Sequence, residues 1–252
     1  MLRAATRRSA PRTARKESEM EKYRKENNSS LTTPQYHKPE FDELIESHSK
    51  QISIPAKKVF LEPGTVLDGV YYVAKGRTRH YMVAPDGSEK VLYTLTKGWF
   101  FGETPCCLQK TTGLFSVAET DSVICLIPMQ EYDALLDNNK AFRDAILESC
   151  CYKMLIMRHE IASLSFNSSR HRLMRLLCTL ADTERVIDGN WYALRMCYTQ
   201  NDLCVITGCA RITIAKIMSD LTNEGVIRTV NRKTQINIRK YLEFVEWTES
   251  ID

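Results

Sequence analysis

The chain has 252 residues, 43% of them apolar and 26% charged, and its formal net charge is only +4. That length and apolar fraction allow one large or two ordinary domains and exclude a disordered chain, and no apolar run approaches the roughly 18 residues of a membrane span, which excludes a transmembrane helix. The small net charge speaks against a nucleic-acid binder only until it is counted by segment.

Residues 1–38 carry 10 Lys+Arg against 4 Asp+Glu, residues 39–165 carry 13 against 17, residues 166–240 carry 12 against 6, and the last 12 residues hold four acids and no base. An acidic body therefore lies between two basic segments. The first 19 residues, rich in Arg, Ala and Ser, have the texture of an organellar transit peptide. A disordered tail, or a start overextended upstream of Met20, accounts for them more simply. The nine cysteines are odd in number and contain no CxxC pair, which predicts reduced thiols in a cytoplasm and no zinc ribbon. Cys204 and Cys209 are expected in the core.

Order is predicted to begin near Pro39, with a short helix over Phe41–His48 whose Phe41, Leu44 and Ile45 share a face. After Pro55 the chain turns to short β-type runs: Lys58–Leu61, Val70–Ala74, His80–Val83, Lys90–Leu95, Phe115–Ala118 and Val123–Ile127. Strands this short and this closely spaced predict an antiparallel barrel or jelly roll. Asp86-Gly87 marks a hairpin between the third and fourth runs. His80, alone on a strand, reads as a surface residue.

From Met129 the pattern is helical. Leu147, Cys150, Met154, Met157, Ile161 and Leu164 alternate three and four apart, the a/d seam of a dimerisation helix. Phe166-Asn167-Ser168-Ser169 breaks that helix and caps the next, Arg170–Leu180, marking an interdomain hinge. Asp188-Gly189-Asn190 is a turn before the strand-like Trp191–Met196.

Thr199-Gln200-Asn201-Asp202 has the form of a capping box ahead of an apolar run that stops at Gly208. A second helix follows, Arg211–Leu221, with Ile214, Ile217, Met218 and Leu221 inward. Helix, glycine turn, helix is the helix-turn-helix signature, and Arg211, Ile212, Thr213, Ala215 and Lys216 fall where such a motif meets base edges. Val226–Thr229 and Gln235–Ile238 flank a basic wing, Val230–Thr234, whose Arg232 and Lys233, with Arg228 beside them, suit phosphates. With Thr199 and Gln200 at the head of the first helix, these residues form the expected DNA contact set.

These motifs, with Glu62-Pro63-Gly64, Tyr71–Gly76, Asp86–Lys90 and Phe100-Phe101-Gly102-Glu103 upstream, resemble the Crp/Fnr family of transcription regulators over Pro55 to Glu246. The resemblance implies an α+β chain: an effector-binding β-roll over 39–139, a dimerisation helix over 140–166, a winged helix-turn-helix over 167–246, and tails at 1–38 and 247–252. It also implies a homodimer on a palindromic double-stranded DNA site, RNA polymerase as a partner if the protein activates, and no catalytic residue. Cyclic-nucleotide-binding members pair the phosphate with an Arg that follows the Gly-Glu pair. Here that region reads Thr112-Gly113-Leu114, and no Arg lies between Arg79 and Arg143. A buried phosphate without a guanidinium partner is costly, so cyclic AMP is rejected.

Asp86–Tyr93 is similar to the halorespiration-regulator (CprK-like) subgroup, which implies an effector site from Tyr93, Gly102 and Lys153 at the junction of roll and helix. Phe101 and Met157 would add apolar contact, and Glu103 stands where that subgroup is basic. A Lys ammonium beside an aromatic wall suits a phenolate or carboxylate. Ile212 stands where many members carry a C-reading Glu, which favours thymine methyls and an A·T-rich half-site. A thiol-switched regulator using Cys106/Cys107 or Cys150/Cys151 is the alternative within the fold. A metal-dependent β-roll oxygenase needs clustered ligands, and His37, His48, His80, His159 and His171 are scattered, so no metal and no cofactor are expected.

Overall fold

A proline opens the 3-10 turn Pro39–Phe41, which runs into α1 (Asp42–Ser47) and buries Phe41 and Ile45. The computed structural model describes residues 37–196 and 198–241. The basic stretch up to residue 36, with its transit-peptide texture, and the acidic end at 247–252 lie outside the described residues.

Eight strands build the roll: β1 (Lys50–Ile54), β2 (Val59–Leu61), β3 (Gly69–Lys75), β4 (Arg77–Val83), β5 (Glu89–Thr96), β6 (Phe100–Phe101), β7 (Phe115–Ala118) and β8 (Ser122–Pro128). They form two antiparallel sheets, ordered β1-β8-β3-β6 and β2-β7-β4-β5. Strand alternation decides what each face does. On β3, Tyr71 and Val73 point between the sheets with Trp99, Phe101 and Ile124, while Val70 and Tyr72 point outward. That outward face is covered by α1, by α3 (Met129–Asn138) and by the start of α4 (Lys140–Phe166), through Phe41, Ile45, Tyr132, Leu135, Phe142 and Ile146. The β8-β3-β6 part of the first sheet is thus covered on both faces. β1 has only two apolar residues, Ile52 and Ile54, and only Ile54 is buried, so pairing with β8 is what identifies it as a strand.

α4 begins at an N-cap, where the Asn139 side chain accepts from the Phe142 N–H at 3.0 Å. Its seam residues Leu147, Met154, Ile161 and Leu164 are exposed, Cys150 is half-buried and Met157 is at the surface. The opposite face, with Ala145, Ser149, Lys153 and Ile156, packs on the roll.

The second domain comprises α5 (Ser169–Leu180), β9 (Ala181–Asp188), β10 (Trp191–Leu194), α6 (Gln200–Thr207), α7 (Arg211–Asn223), β11 (Ile227–Val230) and β12 (Lys233–Asn237). Its sheet order is β11-β12-β10-β9. Strand β9, rich in charged residues, is not predicted by the sequence pattern. The wing differs from expectation: its turn is only Asn231-Arg232, both at positive φ (50° and 61°), and Val230 pairs with Lys233. The two-residue turn matches strand twist better than a five-residue loop does, and Asn tolerates that region. One core, centred on Leu173, Leu177, Leu203, Ile214, Leu221 and Ile236, joins these elements and takes in Val91 from the roll.

Candidate functional site

The DNA-reading candidates sit on α6, α7 and the wing. Thr199 and Asp202 form a complete capping box: the Asp202 N–H donates to Thr199 Oγ1 at 3.2 Å and the Thr199 N–H to Asp202 Oδ2 at 2.9 Å. Thr199 therefore spends its hydroxyl on starting α6, while Gln200 stays exposed beside it. Gly208 ends α6 at φ +66°, a conformation an L side chain rarely adopts. Three residues later α7 starts, with Arg211, Ile212 and Lys216 exposed and Thr213 half-buried, whereas Ile214, Ile217 and Leu221 are inward. Ile212, at 85% exposure, is an apolar side chain with no core to join. Arg232 and Lys233 are exposed at the wing tip. Arg228 is not a free cation there: it stacks over the Trp191 ring, 4.3 Å from the centroid, and its Nε donates to Gln235 Oε1 at 2.7 Å.

Arg172 belongs to no sequence motif, yet it fixes the hinge. Its guanidinium donates to the carbonyls of Thr207 at 3.0 Å and Asn167 at 2.8 Å, and to Cys209 Sγ at 3.3 Å. One charge thus ties the break after α4 to the turn before α7. A helical Arg whose partners are backbone carbonyls leaves no sequence signature.

The second candidate is a cavity of about 390 Å³ between the roll and α4. It gathers the expected Tyr93, Phe101, Gly102, Glu103, Lys153 and Met157. Gly102, at φ +89°, starts the short helix α2 (Glu103–Leu108), and a Cβ there would crowd Leu67 and Tyr71 at 3.0 and 3.3 Å. Lys153 is not free: its Nζ lies 2.6 Å from Glu103 Oε1, and both are buried. Ser149 Oγ donates to the same oxygen at 3.3 Å.

His80 overturns the surface expectation. It is buried at 2% exposure, because β4 pairs with β7 and β5 and its side chain points between the sheets. Its Nε2 lies 3.0 Å from Thr78 Oγ1 and its Nδ1 3.0 Å from Ser116 Oγ, with Tyr93 and Phe101 rings against it. Burial, and next the Lys153 charge, push its pKa down to about 3, so the imidazole is neutral. Burial, and next Glu103, hold the Tyr93 phenol well above its ordinary range. Among the described residues no group of three or more His, Cys, Asp or Glu is placed to hold a metal ion, and no helix is long and apolar enough to cross a membrane.

The chain matches the cyclic nucleotide-binding domain family over residues 51–139 and the Crp-like helix-turn-helix domain family over residues 171–244. It belongs to the Crp/Fnr family of transcription regulators. The cAMP-activated global transcriptional regulator CRP of Salmonella typhimurium is 22% identical over 197 residues, spanning 75% of this chain and 92% of that one. Among solved structures, the c-di-GMP responsive regulator CLP of Xanthomonas campestris superposes with a TM-score of 0.70 at 19% identity, covering 79% of this regulator and 99% of that chain. CprK complexed with OCPA superposes at 0.65 and 16% identity, covering 84% and 97%. At these identities the two structures establish the shared fold: a cyclic nucleotide-binding-type roll, a long helix and a DNA-binding helix-turn-helix domain. The motifs of both halves thus belong to a regulator that binds DNA, and its family members are homodimers.

Proposed function

We propose that this regulator is switched by a small organic, aromatic effector bound in the cavity between roll and α4, and that it reads a palindromic DNA site as a cytoplasmic homodimer. The division would be an effector domain over 39–139, a dimerisation helix over 140–166 and a DNA-reading domain over 167–246, with RNA polymerase engaged if the protein activates. The observation that carries this reading is the shared wall of the cavity: Phe101, Gly102 and Glu103 come from the roll, and Cys150, Lys153, Met154 and Met157 from the seam-bearing helix. A ligand touching both has a means of favouring one arrangement of the helix pair over another, as a coupling free energy requires. The lining contains no arginine, which supports an effector other than a cyclic nucleotide. CprK, complexed with OCPA, offers a precedent for a bound small molecule on the same fold.

The thiol-switched alternative has less support. Burial pushes the Cys106 and Cys150 thiols up to about 11, which keeps both protonated and slow to oxidise. The test is fluorescence anisotropy on the neighbouring promoter with a panel of phenols and other aryl compounds. At least one is expected to change affinity tenfold or more, and Lys153→Ala to blunt that response. No change with any compound, with Lys153→Ala indistinguishable from the parent, sinks the proposal.

A further inference from the structure

The cavity holds one buried cation and one buried anion, and they are bonded to each other. Lys153 Nζ and Glu103 Oε1 lie 2.6 Å apart with side-chain exposures of 9% and 5%. The ammonium that the sequence offers to a phenolate or carboxylate is therefore already neutralised inside the protein. An anion entering the cavity either draws Lys153 away and leaves Glu103 buried with only the Ser149 hydroxyl, at 3.3 Å, as donor, or shares the ammonium and sets a second anion beside Glu103. Stranding a buried charge costs more than a replacement pair returns. A cation meets the mirror problem, since it either strands Lys153 or shares Glu103 beside a second cation.

The remaining buried polar groups are neutral. Both ring nitrogens of His80 are occupied by Thr78 and Ser116. The Tyr93 hydroxyl has no hydrogen-bond partner among the described residues, although its ring is packed on His80. Lys110 stands exposed at the mouth, where water screens it. Leu61, Leu67, Phe101 and Met157 supply apolar wall.

We infer, resting on the effector reading above, that the cavity selects an uncharged, mainly apolar molecule whose polar group meets the Tyr93 hydroxyl, and that Glu103 is the residue that excludes anions. A neutral guest leaves the Glu103–Lys153 pair intact, fills the apolar wall and gives the Tyr93 hydroxyl a partner, so no buried charge is left unpaired. A protonated phenol fits this description and an aryl carboxylate does not.

The experiment is calorimetric binding to the full-length protein at neutral pH. It uses matched triples on several ring scaffolds, each comprising a phenol, the corresponding benzoate and the corresponding benzylammonium. The phenol of at least one triple should bind tenfold or more tighter than its charged partners. Glu103→Gln should raise benzoate affinity relative to the phenol by tenfold or more, because Lys153 then has no anion to satisfy. Tyr93→Phe should weaken the phenol alone, which keeps the inference testable if the Gln variant folds poorly. Benzoates binding the parent protein best would overturn the charge inference and leave the effector reading standing. No binding by any triple would overturn both.

Discussion

Lys90, on the roll, donates to the backbone carbonyl of Ile206, on the first helix of the DNA-reading pair, at 2.6 Å. The same ammonium lies 2.9 Å from Glu160 on α4, so one side chain ties the roll, α4 and the helix-turn-helix domain together. Two further links run beside it: Arg79 to Asp202 at 3.7 Å, and Arg77 to Tyr198 Oη at 3.4 Å and Met196 Sδ at 3.0 Å. Arg77 and Arg79 are held in turn by Glu119, at 2.6 and 3.5 Å.

Lys90→Met should loosen this junction. A hydrogen bond from a charged donor contributes about 1.5–3 kcal/mol, and the partial exposure of this pair puts it at the lower end. Limited proteolysis at the 167–169 hinge should speed up about tenfold, in line with a local opening made ~1.4 kcal/mol easier. An unchanged digestion rate would show that Lys90 does not hold the junction closed.

Stability should fall in acid through His80. Its folded pKa is depressed to about 3 by burial, so the native state refuses a proton that the unfolded chain accepts below its ordinary value of 6.5. Above that value the group contributes nothing to the pH dependence. Below it, stability drops by up to about 1.4 kcal/mol per pH unit until the folded pKa is reached. Urea melts between pH 7 and pH 4 should show this slope, and His80→Gln should flatten that part of the profile.

The two kinds of DNA candidate should separate by salt dependence and by stability. Arg211→Ala is expected to cost about 1–3 kcal/mol on the specific site and to relax its preference, while Arg232→Ala and Lys233→Ala should weaken all sequences alike and each lower the salt slope by about one. Thr199→Ala should instead destabilise the domain by ~1 kcal/mol through loss of the capping box. Ile212→Glu should move half-site preference away from A·T in a binding selection. An unchanged preference would remove thymine-methyl contact as its role.

Dimerisation through the α4 seam predicts that Met154→Glu or Ile161→Glu raises the dissociation constant by tenfold or more in sedimentation equilibrium. Both side chains are about two-thirds exposed, at 67% and 66%, so the single chain should keep its thermal stability. A monomeric parent protein would dismiss the seam.

The elements that announce themselves in the sequence are those whose signal is local. The seam of α4 shows in a three-four spacing, the end of α6 in Gly208, its start in Thr199 and Asp202, and the hairpin after β4 in Asp86-Gly87, because each depends on neighbours within a few residues. The charge count belongs with them: a total of +4 conceals a basic DNA-reading segment, and dividing it by segment restores the signal. Tertiary structure decided what depends on partners far along the chain. β1 exists as a strand because of β8, and His80 is buried because β7 and β5 close over it. Lys153 is neutralised because Glu103 arrives from 50 residues away. A sequence states which charges a protein carries, but their desolvation and pairing are set by the packed fold. That is why the sequence offers the lysine as a candidate for the cavity wall but does not show its pairing with Glu103.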